Sequence, residues 1–347
     1  MALLGLVIAF VASFVLTPFV KKFAIAIGAT DKPDHRKVHT RIMPRLGGLA
    51  IYLGFVISVL IIRPEGVYDW AIFLGGTIII ITGMVDDLFQ ISPKLKLLGQ
   101  FGAALAVIIA GDIQVNYINL PFGGTIEFGI FAIPLTVLWI IGITNAVNLI
   151  DGLDGLAAGV STIALLTIAG MAAIMGDLYV TLMASILAAS AIGFLYYNFH
   201  PAKIFMGDTG SLFLGFMISV FALLGFKNVT VISLVIPILI LGVPISDTFF
   251  AIVRRVLNKQ PISAPDKSHL HHCLLNSGFS HKETVLIIYG IAIMFSLSAF
   301  VFSQSTLWGA IIVIMLTLLF IEFVVESIGL LGKDYKPILR FVRSISK

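Results

Sequence analysis

Apolar segments recur along the whole length of this sequence, and they restrict its fold more than any other feature. Many reach roughly 17 to 25 residues, the length of a helix that crosses a bilayer. Hydrocarbon offers no water to hydrogen-bond the backbone, so runs of this kind form helices. Composition agrees: 59% of the 347 residues are hydrophobic and 12% are charged, whereas soluble domains carry about 25% charged residues. The sequence therefore predicts an all-α polytopic membrane protein, with residues 1–347 forming one domain.

The apolar segments predict eleven transmembrane helices. The first lacks a preceding basic region and a small-residue cleavage site, so we interpret it as a retained span and not as a signal peptide. With eleven spans, only Arg63 and Lys227 of the 22 Lys and Arg residues fall on one side. Basic residues concentrate in cytoplasmic loops, which places the N-terminus outside and the C-terminal tail in the cytoplasm. The predicted spans are 2–27, 46–63, 70–85, 95–111, 131–144, 156–176, 179–198, 211–226, 229–253, 284–303 and 306–329.

The loops on the two predicted sides differ. The long outer segment 112–130 has two β-prone runs around a glycine-containing turn, which predicts a small extracytoplasmic β-hairpin. The inner loops hold nearly all of the other unusual residues. A pI near 9.1 fits basic loops at an anionic membrane surface, and we expect no nucleic-acid partner. The single cysteine, Cys273, leaves no partner for an intrachain disulfide.

Residues 145–155 are the most unusual stretch, Asn-Ala-Val-Asn-Leu-Ile-Asp-Gly-Leu-Asp-Gly. Asn145, Asn148, Asp151 and Asp154 lie between two apolar runs, where polar and charged groups are costly. Polar groups at membrane depth usually serve a function, so we expect these at the edge of the bilayer in a binding site. The alternative is a polar turn that joins two buried helices.

A pair of adjacent carboxylates, Asp86 and Asp87, follows the apolar run 78–85. Two carboxylates at the C-terminal end of a helix repel each other and the negative end of the helix dipole. A bound cation, or the nearby Lys94 and Lys96, would relieve this repulsion. A solvated helix end is the alternative.

The stretch 205–211 reads Phe-Met-Gly-Asp-Thr-Gly-Ser and precedes another apolar run. We predict that Thr209 or Ser211 caps the following helix, whose free N–H groups and neighbouring glycines favour a phosphate. Asp208 beside a phosphate requires a bridging divalent cation, and magnesium prefers oxygen ligands of this kind. Phe205 is a candidate for stacking on a nucleotide base or for ordinary packing. An ordinary capped helix start is the alternative for the whole stretch.

Most of the remaining basic residues lie in two inner loops. Segment 254–283 is interpreted as a cytoplasmic substrate-binding loop, in which Arg254 and three nearby histidines favour an anion or a sugar. Zinc is disfavoured because the spacing differs from His-Glu-x-x-His and no cysteine pair is present. Loop 29–45 holds Arg41 among other basic residues, which either bind a lipid phosphate or only fix the topology. Asp247 lies about two turns before Arg254. Its role is left open between pairing with another helix and a different function.

Taken together, these motifs resemble one family, the polyprenyl-phosphate N-acetylhexosamine-1-phosphate transferases. The motifs are Asp86-Asp87, residues 145–155, residues 205–211 and His-Leu-His-His at 269–272. The resemblance extends from Pro44 to Phe279. The histidine motif and the eleven spans resemble the branch that uses UDP-N-acetylglucosamine (UDP-GlcNAc), and differ from the branch that makes the first lipid intermediate of peptidoglycan.

The resemblance implies a reaction. UDP-GlcNAc and undecaprenyl phosphate would give undecaprenyl-diphosphate-GlcNAc and UMP at the cytoplasmic face of the plasma membrane, with magnesium or alternatively manganese. The product would begin a cell-envelope glycopolymer such as O-antigen or teichoic acid. Another UDP-N-acetylhexosamine or UDP-MurNAc-pentapeptide as the donor remains an alternative, and a homodimer is left open.

The resemblance also implies roles for individual residues. The implied catalytic residues are Asp86, Asp87 and Asp208. The implied metal ligands are Asp208, Asn148 and Asp87. The residues that would meet the uracil are Asp154 and Phe205, and those that would handle phosphates are Lys96 and Arg41. The other implied substrate-binding residues are Asn145, Asp151, Arg254, His269, His271 and His272.

An ion- or proton-coupled transporter is the main interpretation from a different class. Transporters also carry carboxylates near the bilayer, but their sites lie near the midplane on broken helices. Here the acidic motifs cluster at the predicted cytoplasmic ends of helices, and this position favours the enzyme.

Overall fold

The apolar segments form helices in the computed structural model, which describes residues 1–31, 42–66, 68–119, 124–226, 231–261, 268–330 and 335–337. The helices are α1 (Ala2–Ala26), α2 (Gly47–Ile62), α3 (Asp69–Phe89), α4 (Pro93–Gly111), α5 (Ala132–Leu149), α6 (Leu156–Ile174), α7 (Leu178–Asn198), α8 (Gly207–Phe226), α9 (Val231–Ile240), α10 (Gly242–Leu257), α11 (Leu270–Asn276), α12 (His281–Gln304) and α13 (Leu307–Ile328). A 3-10 turn, Gly129–Phe131, leads into α5. Two antiparallel strand pairs are β1 (Thr30–Asp31) with β2 (Met43–Pro44), and β3 (Tyr117–Asn119) with β4 (Thr125–Glu127). The predicted helical architecture is confirmed, with these small sheets in addition.

Nine helices in the described part of the chain are long and apolar enough to cross a membrane, namely α1, α3 to α8, α12 and α13. Helix α2 is shorter, with 16 residues. The predicted span 229–253 is wrong as one continuous helix, because the chain breaks at Leu241 into α9 and α10. Pro244 contributes to the break, since it has no N–H to donate to the preceding turn.

Helix α8 lies at the centre of the bundle. It packs against α2, α3, α5, α6, α7 and α9, and 94% of its most apolar stretch is buried. Phe213, Phe216 and Phe221 on this helix are fully buried. In contrast, only 17% of the most apolar stretch of α13 is buried. The exposed apolar side chains of α13 suit contact with lipid. Because six helices surround α8, its N-terminal end is a fixed point for the residues around it.

The predicted hairpin in 112–130 is confirmed. Tyr117 of β3 lies opposite Glu127 of β4, and the turn at 120–123 lies outside the described residues. The hairpin connects α4 to α5, which have 19 and 18 residues. At 1.5 Å per residue each helix is about 28 Å long, so the hairpin lies at the far end of both helices from residues 93 and 149.

The sequence did not predict the strand pair β1–β2, which brings the segment after β2 to the start of α8. The N–H of Phe205 donates to the Pro44 carbonyl (2.9 Å), and the N–H of Gly47 donates to the Phe205 carbonyl (3.0 Å). These backbone hydrogen bonds join the two loops that precede α2 and α8. The predicted phosphate-binding residue Arg41 belongs to 32–41, which lies outside the described residues.

Candidate active site

Asp86 and Asp87 lie in the last turn of α3, which continues to Phe89 beyond the predicted end of the span. Both are buried. One turn earlier, Gly83 lies against α8, and a Cβ at this position would come 2.5 Å from the Cα of Thr209. The C-terminal end of α3 therefore meets the N-terminal end of α8 directly, and side chains from both ends share one site.

Asp87 caps helix α8. Its Oδ1 accepts the N–H of Asp208 (3.0 Å), and its Oδ2 accepts the N–H (2.9 Å) and the hydroxyl (2.7 Å) of Thr209. The prediction that Thr209 or Ser211 caps this helix is wrong, because α8 begins at Gly207 and both residues lie inside it. The cap comes from a neighbouring helix instead, and its negative charge suits the positive end of the α8 dipole.

Two cationic side chains bind the carboxylates. Lys96 on α4 lies 3.0 Å from Oδ2 of Asp86 and also forms an ion pair with Asp208. Arg45 places its Nη2 3.4 Å from Asp87 and 3.8 Å from Asp208. We refer to Asp86, Asp87, Asp208, Arg45 and Lys96 as the charged cluster.

Arg45 is the member of the charged cluster that the sequence interpretation did not assign to the site. Burial lowers its pKa, but the surrounding carboxylates, Asp87 first, leave this pKa above its usual range, so the guanidinium stays charged. Arg45 precedes Gly47 and Gly48, and a Cβ at Gly48 would collide with the backbone of Gly210. The sequence feature that could have assigned Arg45 to the site is therefore Pro-Arg-Leu-Gly-Gly at 44–48, in which two glycines next to an arginine permit a close backbone approach.

Asn148 belongs to α5 and not to a loop, because this helix extends to Leu149. Its Nδ2 donates to Oδ1 of Asp208 (3.2 Å) and to Oγ of Ser211 (2.8 Å). Its carbonyl oxygen has no hydrogen-bond partner among the described residues. The structure thus places Asn148 beside the charged cluster with an oxygen available for a ligand.

Asn145 lies one turn earlier on α5 and contacts α4. It forms a two-way amide pair with Gln100, with distances of 2.7 and 3.2 Å. Gln100 lies one turn after Lys96 on the same helix. Asn145, predicted to bind substrate, therefore links the helix that carries Asn148 to the helix that carries Lys96.

Asp151 and Asp154 lie in the turn between α5 and α6, and their surroundings differ. Burial raises the pKa of the Asp151 carboxyl to about 8; the negative charges of Asp208 and Asp87 add to this, and Arg45 opposes it. The Asp151 carboxylate forms no hydrogen bond with a described residue. Asp154 instead lies 2.9 Å from His200 Nδ1 and accepts the N–H of Ala202 (3.0 Å). Asp151 is thus electrostatically coupled to the charged cluster, whereas Asp154 is tied to the connection between α7 and α8.

The histidine segment, residues 269–272, reaches the turn between α5 and α6. His269 Nδ1 lies 2.8 Å from Asp247 on α10, and the ring of His271 lies against Gly152. Burial lowers the pKa of His271 to about 4, with a further contribution from the neighbouring His272. His271 is therefore neutral at pH 7. The His271 and His272 ring centroids are 4.2 Å apart.

The prediction that segment 254–283 is a loop is wrong for much of its length, because α10, α11 and α12 contribute residues to it. Arg254 lies in the last turn of α10. Its Nη1 donates to the carbonyl of Leu330 (3.2 Å), a residue that follows α13. Residues 262–267 lie outside the described residues. The segment thus connects the histidines to the C-terminal end of α13.

One further group, Asp154 with His200 and His281, has ligand atoms within 4.8 Å of one another. These atoms already serve other partners. His281 Nε2 accepts the N–H of Asp154 (3.0 Å), and Oδ2 of Asp154 accepts the N–H of Ala202 (3.0 Å). This hydrogen bonding favours a structural link between the turn and the start of α12 over a metal site.

Comparison with known proteins decides the family. A protein of Bacillus subtilis (strain 168), named probable undecaprenyl-phosphate N-acetylglucosaminyl 1-phosphate transferase, is 51% identical over 99% of this chain and 98% of its own length. The family model described as glycosyl transferase family 4 matches residues 70–226. This chain belongs to glycosyl transferase family 4. The family resemblance predicted from the motifs is thereby confirmed.

Two other relatives of this family 4 chain are more distant. The decaprenyl-phosphate N-acetylglucosaminephosphotransferase of Mycolicibacterium smegmatis is 35% identical over 83% of this chain and 79% of its own length. The undecaprenyl-phosphate alpha-N-acetylglucosaminyl 1-phosphate transferase of Thermotoga maritima is 32% identical over 83% of this chain and 86% of its own length. The segment matched by the family model contains the charged cluster except Arg45, and the histidine motif at 269–272 lies beyond it.

Proposed function

We propose that this chain transfers N-acetylglucosamine 1-phosphate from UDP-GlcNAc to undecaprenyl phosphate, which gives undecaprenyl-diphosphate-GlcNAc and UMP and begins a cell-envelope glycopolymer. The charged cluster carries the proposal, because helices α3, α4 and α8 and the segment before α2 bring acidic and basic side chains to one place. The names of the relatives in Bacillus subtilis and Thermotoga maritima support the lipid and the sugar.

The chemistry explains why such a cluster is useful. A phosphate monoester has a second pKa of about 6, so the lipid phosphate is a dianion at neutral pH and already a nucleophile. One of its oxygens attacks the sugar-bearing phosphorus of UDP-GlcNAc. The bond from that phosphorus to the bridging oxygen breaks, and UMP leaves with this oxygen. The barrier lies in bringing two anions together, so charge neutralisation and in-line positioning matter more than a strong base.

Lys96 and Arg45 supply positive charge at this place. Lys96 bridges Asp86 and Asp208, and Arg45 bridges Asp87 and Asp208. When anionic phosphates enter, these two cations can exchange their carboxylate partners for phosphate oxygens without leaving the site. Lys96 binds a phosphate as a point charge, whereas the planar guanidinium of Arg45 can bind two oxygens at once.

Magnesium fits the donor set of the site. Magnesium binds one or two carboxylates together with substrate phosphates. Here the Asn148 amide contacts Asp208 through Nδ2, and its carbonyl oxygen has no hydrogen-bond partner among the described residues. Asp208 and Asn148 would hold the ion, and Asp151 is electrostatically coupled to Asp208. The ion would neutralise the diphosphate, and manganese takes the same ligands. Asp87 stays a predicted ligand, but its three hydrogen bonds favour a capping role that holds the backbone of Asp208.

The position of the site favours a cytoplasmic active site in the plasma membrane. The predicted inner loops carry nearly all Lys and Arg residues, which is typical of the cytoplasmic side. UDP-sugars are cytoplasmic substrates, so a site on this side is the one they can reach. The predicted contacts of Asp154 and Phe205 with uracil, and of the histidines with sugar and diphosphate, belong to the same proposal.

The test is an assay of purified protein in detergent with added undecaprenyl phosphate. We expect release of UMP from UDP-GlcNAc, a lipid product with the mass of undecaprenyl-diphosphate-GlcNAc, and loss of both with EDTA. A panel with UDP-GalNAc, UDP-MurNAc-pentapeptide and decaprenyl phosphate then defines the sugar and the lipid. UMP release from another UDP-sugar alone would keep the reaction type and change the substrate.

The described residues favour the enzyme over the ion-coupled transporter. The charged cluster lies at the end of α3 and the start of α4 and α8, whereas transporter sites lie near the bilayer midplane. Ion uptake into proteoliposomes in the absence of UMP release would favour the transporter instead.

A further inference from the structure

Asp247 is a buried acid that the proposed reaction does not use. It lies on α10, nearly two turns after the break at Leu241, and is 2% exposed. Both carboxylate oxygens have a partner: Oδ2 lies 2.8 Å from His269 Nδ1, and Oδ1 accepts the N–H of Leu270 (2.8 Å). A buried carboxylate is costly unless such partners are present. Asp247 is thus committed to the first two residues of the histidine segment.

The histidine segment leads from Asp247 to the candidate active site. His269 is the N-cap residue of α11 and supplies no side-chain cap of its own, so Asp247 fills this role from another helix. The rings of His269 and His271 lie parallel, with centroids 6.1 Å apart. The His271 ring lies against Gly152, so closely that a Cβ there would overlap it. Gly152 adjoins Asp151, which is electrostatically coupled to the charged cluster.

We propose that Asp247 is a positioning residue that sets the tautomer and the orientation of His269 for the diphosphate of the sugar nucleotide. A carboxylate accepts the proton on Nδ1, which leaves Nε2 as the ring atom that faces a ligand. This inference rests on the proposed function only for the identity of the ligand. The tautomer itself follows from the Asp247–His269 contact.

The substitution Asp247→Asn separates positioning from structural support. Asparagine keeps the volume and an oxygen that accepts the N–H of Leu270. Its amide N–H, however, replaces the second oxygen and donates to Nδ1 of His269. The neutral ring must then carry its proton on Nε2, so the tautomer is inverted while the helix cap remains. Asp247→Ala removes both contacts and leaves two buried polar groups without a partner.

The experiment combines histidine-labelled NMR with kinetics. In protein labelled with 15N-histidine, the His269 signals are assigned by their loss in His269→Gln. We expect a protonated Nδ1 in the neutral ring of the wild type and a protonated Nε2 in Asp247→Asn. We also expect kcat/KM for UDP-GlcNAc to fall about tenfold to a hundredfold in Asp247→Asn, by analogy with residues that orient a metal-binding histidine. The unfolding temperature should stay near that of the wild type.

Two controls keep a merely structural role distinguishable. Asp177→Asn changes an aspartate that caps α7 through the N–H of Val180 (2.9 Å) and has no histidine partner among the described residues, so its kcat/KM should stay within about twofold. The double variant Asp247→Asn/His269→Gln should be no slower than His269→Gln alone, because Asp247 acts through His269. Independent, multiplying losses would overturn the proposal.

The NMR result also separates this inference from the proposed function. An unchanged tautomer in Asp247→Asn overturns the positioning role even if the wild type releases UMP. Conversely, a wild type that releases no UMP from UDP-GlcNAc defeats the proposed function, whereas an inverted tautomer would still support the action of Asp247 on His269.

Discussion

Asp86 and Asp87 show how two adjacent residues with the same side chain take different tasks. Successive residues of an α-helix point about 100° apart. Asp86 therefore faces the Lys96 ammonium (3.0 Å), whereas Asp87 faces the backbone N–H groups at the start of α8. The first interaction is between side chains that a phosphate can separate. The second holds two helices together.

Replacing each aspartate by asparagine separates these tasks. In Asp87→Asn an amide N–H faces a backbone donor of α8, and a buried donor without an acceptor costs about 1–3 kcal/mol. We expect the unfolding temperature in detergent to fall by a few degrees, and turnover to fall with it. Asp86→Asn removes one negative charge from a site rich in carboxylates, so stability should be kept while UMP release falls about a hundredfold or more. Equal destabilisation by both variants would contradict this division.

Asp86→Asn also tests whether Asp86 acts as a general base. The lipid phosphate is already a dianion above its second pKa of about 6. We therefore expect that a rise from about pH 7.5 to about pH 9 restores less than about twofold of the lost rate. Asp208→Ala, which removes the predicted metal ligand, should abolish turnover at every pH and serves as the control. Recovery of nearly the wild-type rate at high pH would assign the base role to Asp86.

His271 makes the stability of the fold dependent on pH. Its pKa is about 4 in the folded chain and about 6.5 in an unfolded one. Between these values the unfolded chain binds a proton and the folded chain does not, so stability present above about pH 6.5 is lost as the pH falls towards 4. The loss amounts to at most about 3–4 kcal/mol. Thermal unfolding between about pH 7 and pH 5 should show a smaller decrease for His271→Gln than for the wild type; parallel curves would show that another group is responsible.

At the level of secondary-structure elements, close backbone contacts between helices position the charged cluster. Gly83 of α3 touches the backbone of α8 at Thr209, and Gly48 of α2 touches it at Gly210. Both contacts lie in the first turn of α8, next to Asp208. A side chain at either glycine would push the helix that carries Asp208 away from Lys96 and Arg45.

Gly83→Ala tests this contact. The added Cβ would lie 2.5–2.7 Å from backbone atoms of Thr209 and Asp208, which cannot move aside as a flexible side chain can. We expect a loss of about 1–3 kcal/mol in stability together with a large loss of UMP release. Gly142→Ala on α5 is the matched control, because a Cβ there meets no described heavy atom within 4 Å and alanine is the better helix former. A fully active Gly83→Ala would show that the contact does not position Asp208.

The sequence could predict the helices because each apolar run in a bilayer must satisfy its own backbone. Helix ends were less predictable. Helix α3 reaches Phe89 and α8 begins at Gly207, each further into a polar stretch than the apolar pattern indicates. The α8 start is stabilised by Asp87, whose hydrogen bonds cross between helices far apart in the sequence, and no local pattern contains such a contact.

The same reasoning explains which site residues were found. Asp86, Asp87, Asn148 and Asp208 were identified because polar groups between apolar runs need a reason to be there, and the structure brings them together. Lys96 was also identified as a cation that could pair with the carboxylates, but the other partners were not. Gln100 and Arg45 find their partners only through helix packing, and the pairing of Gln100 with Asn145 (2.7 Å) cannot be read from either helix alone.

For the whole molecule, the positions of the site and the hairpin relative to the membrane follow from helix direction. Helix α4 begins near Lys96 and ends at the hairpin, and α5 returns from the hairpin to Asn148. Each helix is about 28 Å long, close to the thickness of the hydrocarbon core of roughly 30 Å. We therefore expect the charged cluster and the hairpin β3–β4 to belong to opposite faces of the bilayer, whichever way the chain is oriented.

Cysteine labelling can establish which face is cytoplasmic. In a Cys273→Ser background, Thr125→Cys probes the exposed hairpin strand and Lys203→Cys probes the exposed residue before α8. The excess of basic residues near the charged cluster predicts that this side is cytoplasmic. A membrane-impermeant maleimide should therefore label Thr125→Cys in intact cells and Lys203→Cys only after permeabilisation, with UMP release confirming that both variants are folded. The reverse pattern would place the charged cluster outside the cell, where UDP-sugars are absent, and the proposed reaction would lose its donor.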